Sequence, residues 1–294
     1  IDGNSTGDEL LRVSPVVNSI YDTIGNVALV SQSNNTGYLN APRITAVSLD
    51  SDNENLTITF NVNVFNTDSG SGTLEKTDFI LTIFEGSADL SSSTAISISG
   101  SGTNYVLELP TLIGTPNGQE ILVVNPVDNT SIYDSYGNPA SNSQQNNSIN
   151  LTEKIAPFIT ATVLQYDNTS IDVTFSEVVY DTNSGSGILE VSDLSLNITG
   201  GAVSLTSTTP TGISTSDNIT FTLNLGITGT SDGSEILTVV PIVDSIYDQS
   251  GNVCSITQSN NSVTLNEKIV PTITNISINN DNSIITVTFN ENVF

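Results

Sequence analysis

The sequence predicts an all-β protein assembled from repeated sandwich units, and three observations carry that expectation. Apolar and polar residues alternate over long segments, as in NLTITFNVNVF (Asn55 to Phe65), SIDVTFSEVVY (Ser170 to Tyr180) and SIITVTFNENVF (Ser283 to Phe294); this is the period of a half-buried strand. Clusters of Gly, Pro, Asn, Asp and Ser interrupt the chain every eight to fifteen positions, and no segment sustains an i, i+3, i+4, i+7 pattern, so helices are not expected. One stretch also recurs: IYDTIGNVALVSQSNN (Ile20 to Asn35), IYDSYGNPASNSQQNN (Ile132 to Asn147) and IYDQSGNVCSITQSNN (Ile246 to Asn261). Tyr21, Tyr133 and Tyr247 lie 112 and 114 residues apart, the mark of one structural unit used repeatedly.

Taken in order, residues 1–42 read as the C-terminal part of a unit, because Gly7 to Pro15 (GDELLRVSP) aligns with Gly118 to Pro126 (GQEILVVNP) and Gly233 to Pro241 (GSEILTVVP). Two whole units follow at 43–157 and 158–271, and 272–294 open a further one, with Pro42, Pro157 and Pro271 at the joints. Seven strands are expected in the first whole unit, near 43–49, 55–65, 78–84, 88–98, 104–110, 121–127 and 146–152. Seven short strands in about 100 residues, joined by tight turns, are the pattern of a Greek-key β-sandwich of the immunoglobulin type, here without the Cys pair and Trp of antibody domains. Short Pro-containing linkers between such units predict a semi-rigid rod.

Composition narrows the partners. Thirty-one carboxylates face five Lys and Arg, a formal charge of −26, and neither nucleic acid nor an anionic membrane binds such a surface without clustered cations. The chain has no His, the usual proton carrier at neutral pH, and no catalytic constellation is visible, so no enzyme is expected. No stretch approaches the ~18–20 apolar residues of a membrane span. Cys254 is the single cysteine, and it aligns with Ala28 and Ala140, so a small buried side chain is expected there. The SGSG segments at 69–72 and 184–187 lack the Lys of a phosphate loop and read as flexible turns. Asp22, Asp134 and Asp248 precede Gly25, Gly137 and Gly251 by three residues and read as turn-closing acceptors, with Tyr21, Tyr133 and Tyr247 as core plugs whose hydroxyls reach water. Lys154 and Lys268 beside the joint prolines read as exposed linker charges.

The FSEVVYD of Phe175 to Asp181, the SGSGxLE of Ser69 to Glu75 and Ser184 to Glu190, the following Asp78 and Asp193, and IYDxxGN together resemble the immunoglobulin-like repeats of very large bacterial surface proteins and adhesins. Val62, standing where Glu177 and Glu291 do, departs from the pattern. The resemblance implies an extracellular, cell-surface stalk or filament that associates with itself or with other surface proteins. The alternative is an adhesin whose repeats, or a domain outside them, bind a receptor or glycan.

Two kinds of site are expected from the arrangement. In a seven-strand sandwich the second-to-third and sixth-to-seventh strand loops share one pole, close to the end of the preceding unit. That geometry gathers Asp181, Glu190, Asp193 and Asp248 near Glu153, a carboxylate set suited to Ca²⁺; the competing reading is five separately solvated acids. Eleven Asn-x-Ser/Thr sequons occur, three of them in phase at Asn34, Asn146 and Asn260. The phase fits glycan acceptors on a secreted fibre and equally fits inherited repeat sequence.

Overall fold

The computed structural model describes residues 9–39 and 41–294. Within them every strand ladder is antiparallel and no sheet closes on itself. The chain separates into two compact units, Ile1–Ile155 and Ala156–Phe294.

The first unit opens with β1 (Leu10–Arg12) and β2 (Thr36–Tyr38), which pair with each other. It continues through β3 (Ile44–Leu49), β4 (Asn55–Phe60), β5 (Phe79–Phe84), β6 (Asp89–Leu90), β7 (Ser97–Ser101), β8 (Asn104–Glu108), β9 (Leu112–Ile113), β10 (Ile121–Pro126) and β11 (Ser148–Asn150). One sheet runs β3-β4-β8-β7, a second runs β11-β10-β5, and β6 and β9 form a small separate ladder. The alternation read in the sequence now has a physical cause: β4 turns Leu56, Ile58 and Phe60 inward while Thr57 and Thr59 stay partly exposed. Opposite them, β10 buries Leu122 and Val124, and both sheets feed a single core with Phe79, Leu81, Tyr105 and Leu107. Phe60 meets Tyr105 edge-on at 6.3 Å between ring centroids, a favoured aromatic geometry.

The second unit repeats this plan with β12 (Ile159–Leu164), β13 (Ser170–Phe175), β14 (Leu194–Thr199), β15 (Ser204–Leu205), β16 (Gly212–Thr215), β17 (Thr220–Asn224), β18 (Ile227–Thr228), β19 (Ile236–Pro241) and β20 (Ser262–Thr264). Its sheets run β12-β13-β17-β16 and β14-β19-β20, with β15 and β18 as the small ladder. Phe175 and Phe221 cross edge-on at 6.0 Å in the core. Cys254 lies in that core where Ala140 lies in the first, and burial pushes its thiol up to about 12, so the thiolate that reactivity needs is not formed at neutral pH. A last hairpin, β21 (Ile273–Ile278) with β22 (Ile285–Phe289), keeps the register irregularity of the two earlier hairpins, at Ile273/Asn275 as at Ile44/Ala46 and Ile159/Ala161.

Three sequence expectations are corrected. The strand expected over 88–98 is broken into β6 and β7, because Ser92 accepts the Thr94 N–H at 3.1 Å and turns the chain. The segment 55–65 leaves its ladder after Phe60, where the Asn61 side chain instead accepts the Arg43 N–H at 2.8 Å. Helix is also present, as single 3₁₀ turns at Lys76–Asp78 and Val191–Asp193. Each is closed by its own acid: the N–H groups of Glu75 and Glu190 donate to Asp78 and Asp193, both at 2.7 Å. No helix among the described residues is long and apolar enough to cross a membrane.

Candidate functional site

The recurring motifs meet at one pole of each whole unit. Phe65 and Tyr133 exchange two backbone hydrogen bonds of 2.8 Å, as Tyr180 and Tyr247 do at 2.8 and 2.9 Å, so the loop after β4 or β13 is stitched to the IYDxxGN stretch. Asp134 closes its own turn by accepting from the N–H groups of Tyr136 and Asn138 and from the Asn138 amide at 2.8–2.9 Å. Asp248 likewise accepts from the Asn252 N–H at 2.8 Å and its amide at 2.7 Å. The buried plug of the motif is the residue before the tyrosine: Ile132 and Ile246 are fully buried, while Tyr133 and Tyr247 are only half-buried. This corrects the reading of the tyrosines as plugs. Tyr247 spends its hydroxyl on the Asp244 carbonyl at 2.8 Å.

The SGSG loops are held and not free, which is a further correction. Thr67 donates to the Ser71 carbonyl at 2.6 Å and Ser69 and Ser71 share a hydrogen bond of 2.8 Å; Thr182, Ser184 and Ser186 repeat the cluster. Glycine is required where this loop touches the IYDxxGN turn. A Cβ on Gly70 would stand 2.6 Å from the Ser135 carbonyl oxygen, and one on Gly137 would stand 2.5 Å from that of Asp68.

The expected calcium ligands divide between the units. Glu153 lies in the first, where its carboxylate accepts the Ile155 N–H. Asp181, Glu190, Asp193 and Asp248 lie in the second. There Asp193 is raised above the ordinary carboxylate range by burial and then by the charges of Asp181 and Glu190, so it feels two of the other three. Asp181 Oδ1 is buried without a hydrogen-bond partner, whereas Asp248 has both oxygens engaged in its turn. Among the described residues no group of three or more His, Cys, Asp or Glu side chains is placed to hold a metal ion. The in-phase Asn34, Asn146 and Asn260 are all exposed.

Two pairs of residues escaped the sequence reading. Glu120 and Glu235 are 0% exposed. Glu120 gathers the N–H groups of Ser87 (2.7 Å), Ala88 (3.1 Å), Asn117 and Gly118 (both 3.0 Å). Burial would raise its carboxyl, but these donors outweigh burial and hold it below the ordinary range. Asn53 and Asn168 are buried in left-handed conformation with φ of +60°. Asn53 exchanges two hydrogen bonds of 2.8 Å with the backbone of Thr152, and Asn168 does the same with Asn266 at 2.7 and 2.9 Å. The available signal was recurrence: GQEIL and GSEIL before β10 and β19, and Asp-Asn between the first two strands of each whole unit.

The first unit also carries a cavity of about 500 Å³ at this pole, lined among others by Val62, Asn63, Phe65, Thr103 and Tyr136. Tyr136 is 87% exposed at its rim. No protein-family model matches the sequence, and no curated protein matches it either.

Proposed function

We propose that this chain is a segment of an extracellular, non-catalytic stalk or filament built from tandem immunoglobulin-type units, of the kind found in large bacterial surface proteins. The observation that carries this reading is the repeated strand order. β3-β4-β8-β7 with β11-β10-β5 corresponds to the ABED and GFC sheets of a seven-strand constant-type sandwich, and β12 to β20 repeat both. Units of one plan joined by a few Pro-containing residues make length their product, and the chain's partners are then further copies of itself or other surface proteins. The charge of −26 favours solubility and makes lateral packing depend on screening by salt. Electron microscopy of the native assembly tests the reading: a thin thread or fibre with a regular axial bead is expected. Compact particles without an axial repeat would refute it.

A second reading, adhesion, is favoured by the cavity under Tyr136. The second unit has Ser250 and Glu177 where the first has Tyr136 and Val62, so the aromatic rim belongs to the first, whose pocket keeps Asp134 as its one carboxylate. Titration with neutral oligosaccharides, followed by NMR, is expected to move the Tyr136 ring signals, and Tyr136→Ser to weaken binding at least tenfold. Equal binding by the variant, or no shift at all, removes this reading.

A further inference from the structure

We infer that Asn34, Asn146 and Asn260 are N-glycosylated and that their sugars guard the outer strands they precede, β2, β11 and β20. The segment leading into that strand reads SQSNNT at 31–36, SQQNNS at 143–148 and TQSNNS at 257–262. Most of its recurring residues have an internal job. Gln144 accepts the Ile44 N–H at 2.8 Å and donates to the Ser141 carbonyl at 2.7 Å, and Gln258 does the same with Ile159 and Ser255 at 2.7 and 2.6 Å. The second asparagine of each pair donates to a backbone carbonyl across the ladder: Asn35 to Val13, just past β1, at 2.6 Å, Asn147 to Val124 at 2.8 Å, Asn261 to Val239 at 2.7 Å.

The first asparagine has no such job. Asn34, Asn146 and Asn260 are exposed, and the side chain of none of them makes a hydrogen bond with the described residues. Backbone conformation explains the asparagine in one copy only, since Asn146 alone of the three has a positive φ, +56°. What all three share is a Ser or Thr two residues on, Thr36, Ser148 and Ser262, which completes an acceptor sequon.

The fold sorts the remaining sequons differently. Asn168 is buried in its clamp, and Asn55, Asn129 and Asn150 are tied by side-chain bonds to Asp50, Asn142 and Gly118. Asn197 and Asn275 lie inside strands, and Asn218 lies in a tight turn at φ of +57°; Asn4 falls outside the described residues. The three in-phase sites also share a position. Asn146 and Asn260 stand two residues before β11 and β20, the outermost strands of their sheets, and Asn34 stands two before β2. An uncovered edge is a template for unwanted pairing, and a bulky hydrophilic group beside it is a direct block. The transfer would use a lipid-linked sugar phosphate: the amide nitrogen attacks the anomeric carbon, a C–N bond forms, the C–O bond to phosphate breaks, the amide proton goes to a base and the lipid phosphate leaves.

Peptide mass mapping of the protein taken from the cells that make it is the test. With fragmentation that assigns each sugar to its residue, saccharide mass increments are expected on Asn34, Asn146 and Asn260, and none on Asn55, Asn150 or Asn168. Bare peptides at the three sites, or sugar on Asn168 in their place, would overturn the assignment. The double variant Asn146→Gln/Asn260→Gln is expected to lose two increments, keep its unfolding midpoint, and self-associate at least twofold more in sedimentation. Unchanged association would overturn the guarding role.

Discussion

Replacing Glu120 by glutamine lowers the unfolding midpoint of the first unit by about 10 °C or more, the result of losing about 2–3 kcal/mol. The loss follows from donor direction. The Glu120 oxygens face hydrogen-bond donors, the N–H groups of Ser87 and Ala88 with the Ser87 hydroxyl at 3.4 Å on one side, and those of Asn117 and Gly118 on the other. Glutamine keeps the shape but turns an NH₂ toward donors, leaving buried N–H groups unpaired. The effect has a definite pH signature. Because Glu120 is held below its unfolded value, its contribution is fully present above about pH 4.3 and is lost as the pH falls through the lower folded value. The gap between wild type and variant therefore closes on acidification, read as urea-unfolding free energies at pH 7 and below pH 4. Asp78 is raised, chiefly by burial, and so acts with the opposite sign; the difference between the two proteins cancels it. A gap that stays constant with pH would show that the carboxylate charge is not what the nest of N–H groups holds. Glu235→Gln follows the same direction with a smaller loss, since its donors stand at 3.2–3.4 Å.

Gly70→Ala destabilises the first unit by about 1–3 kcal/mol more than Gly102→Ala, the range expected for overpacking a closed contact. The two glycines have nearly the same φ, +68° and +70°, so both alanines carry the same left-handed penalty, about 1–2 kcal/mol. Their surroundings differ. The new methyl at position 70 meets the Ser135 backbone at 2.6 Å and cannot push it aside without separating the two motif loops. At position 102 it meets only the Asn63 side-chain oxygen at 3.2 Å, which can swing away. Urea unfolding of both variants measures the difference. Equal losses would mean that the loops are not locked by close approach.

The strands were legible because burial on one face of a sheet writes itself as alternation, as Leu56, Ile58 and Phe60 show. What failed to show was anything decided by a residue's surroundings and not by its type. Glu120 reads as one more surface acid, since nothing local announces the four N–H groups contributed by two separate loops. Ile132 and Tyr133 are both apolar enough to plug a core, and only the bridge to Phe65, which fixes the tyrosine backbone, decides which of them turns inward. The calcium expectation followed motif order around a shared pole, and order alone does not reveal that each Asp248 oxygen accepts a hydrogen bond from Asn252. The glycines were visible as turn formers, but their second role, contact between loops far apart in sequence such as Gly70 with Ser135, belongs to packing.

Asn53 and Asn168 fasten the turn of each first hairpin to the residue two positions after the last strand. Tension applied where the chain leaves a unit therefore reaches the β3–β4 or β12–β13 turn through a side-chain amide, across to the opposite sheet, before either ladder is sheared. A unit fastened in this way yields to stretching as a whole and does not unzip strand by strand.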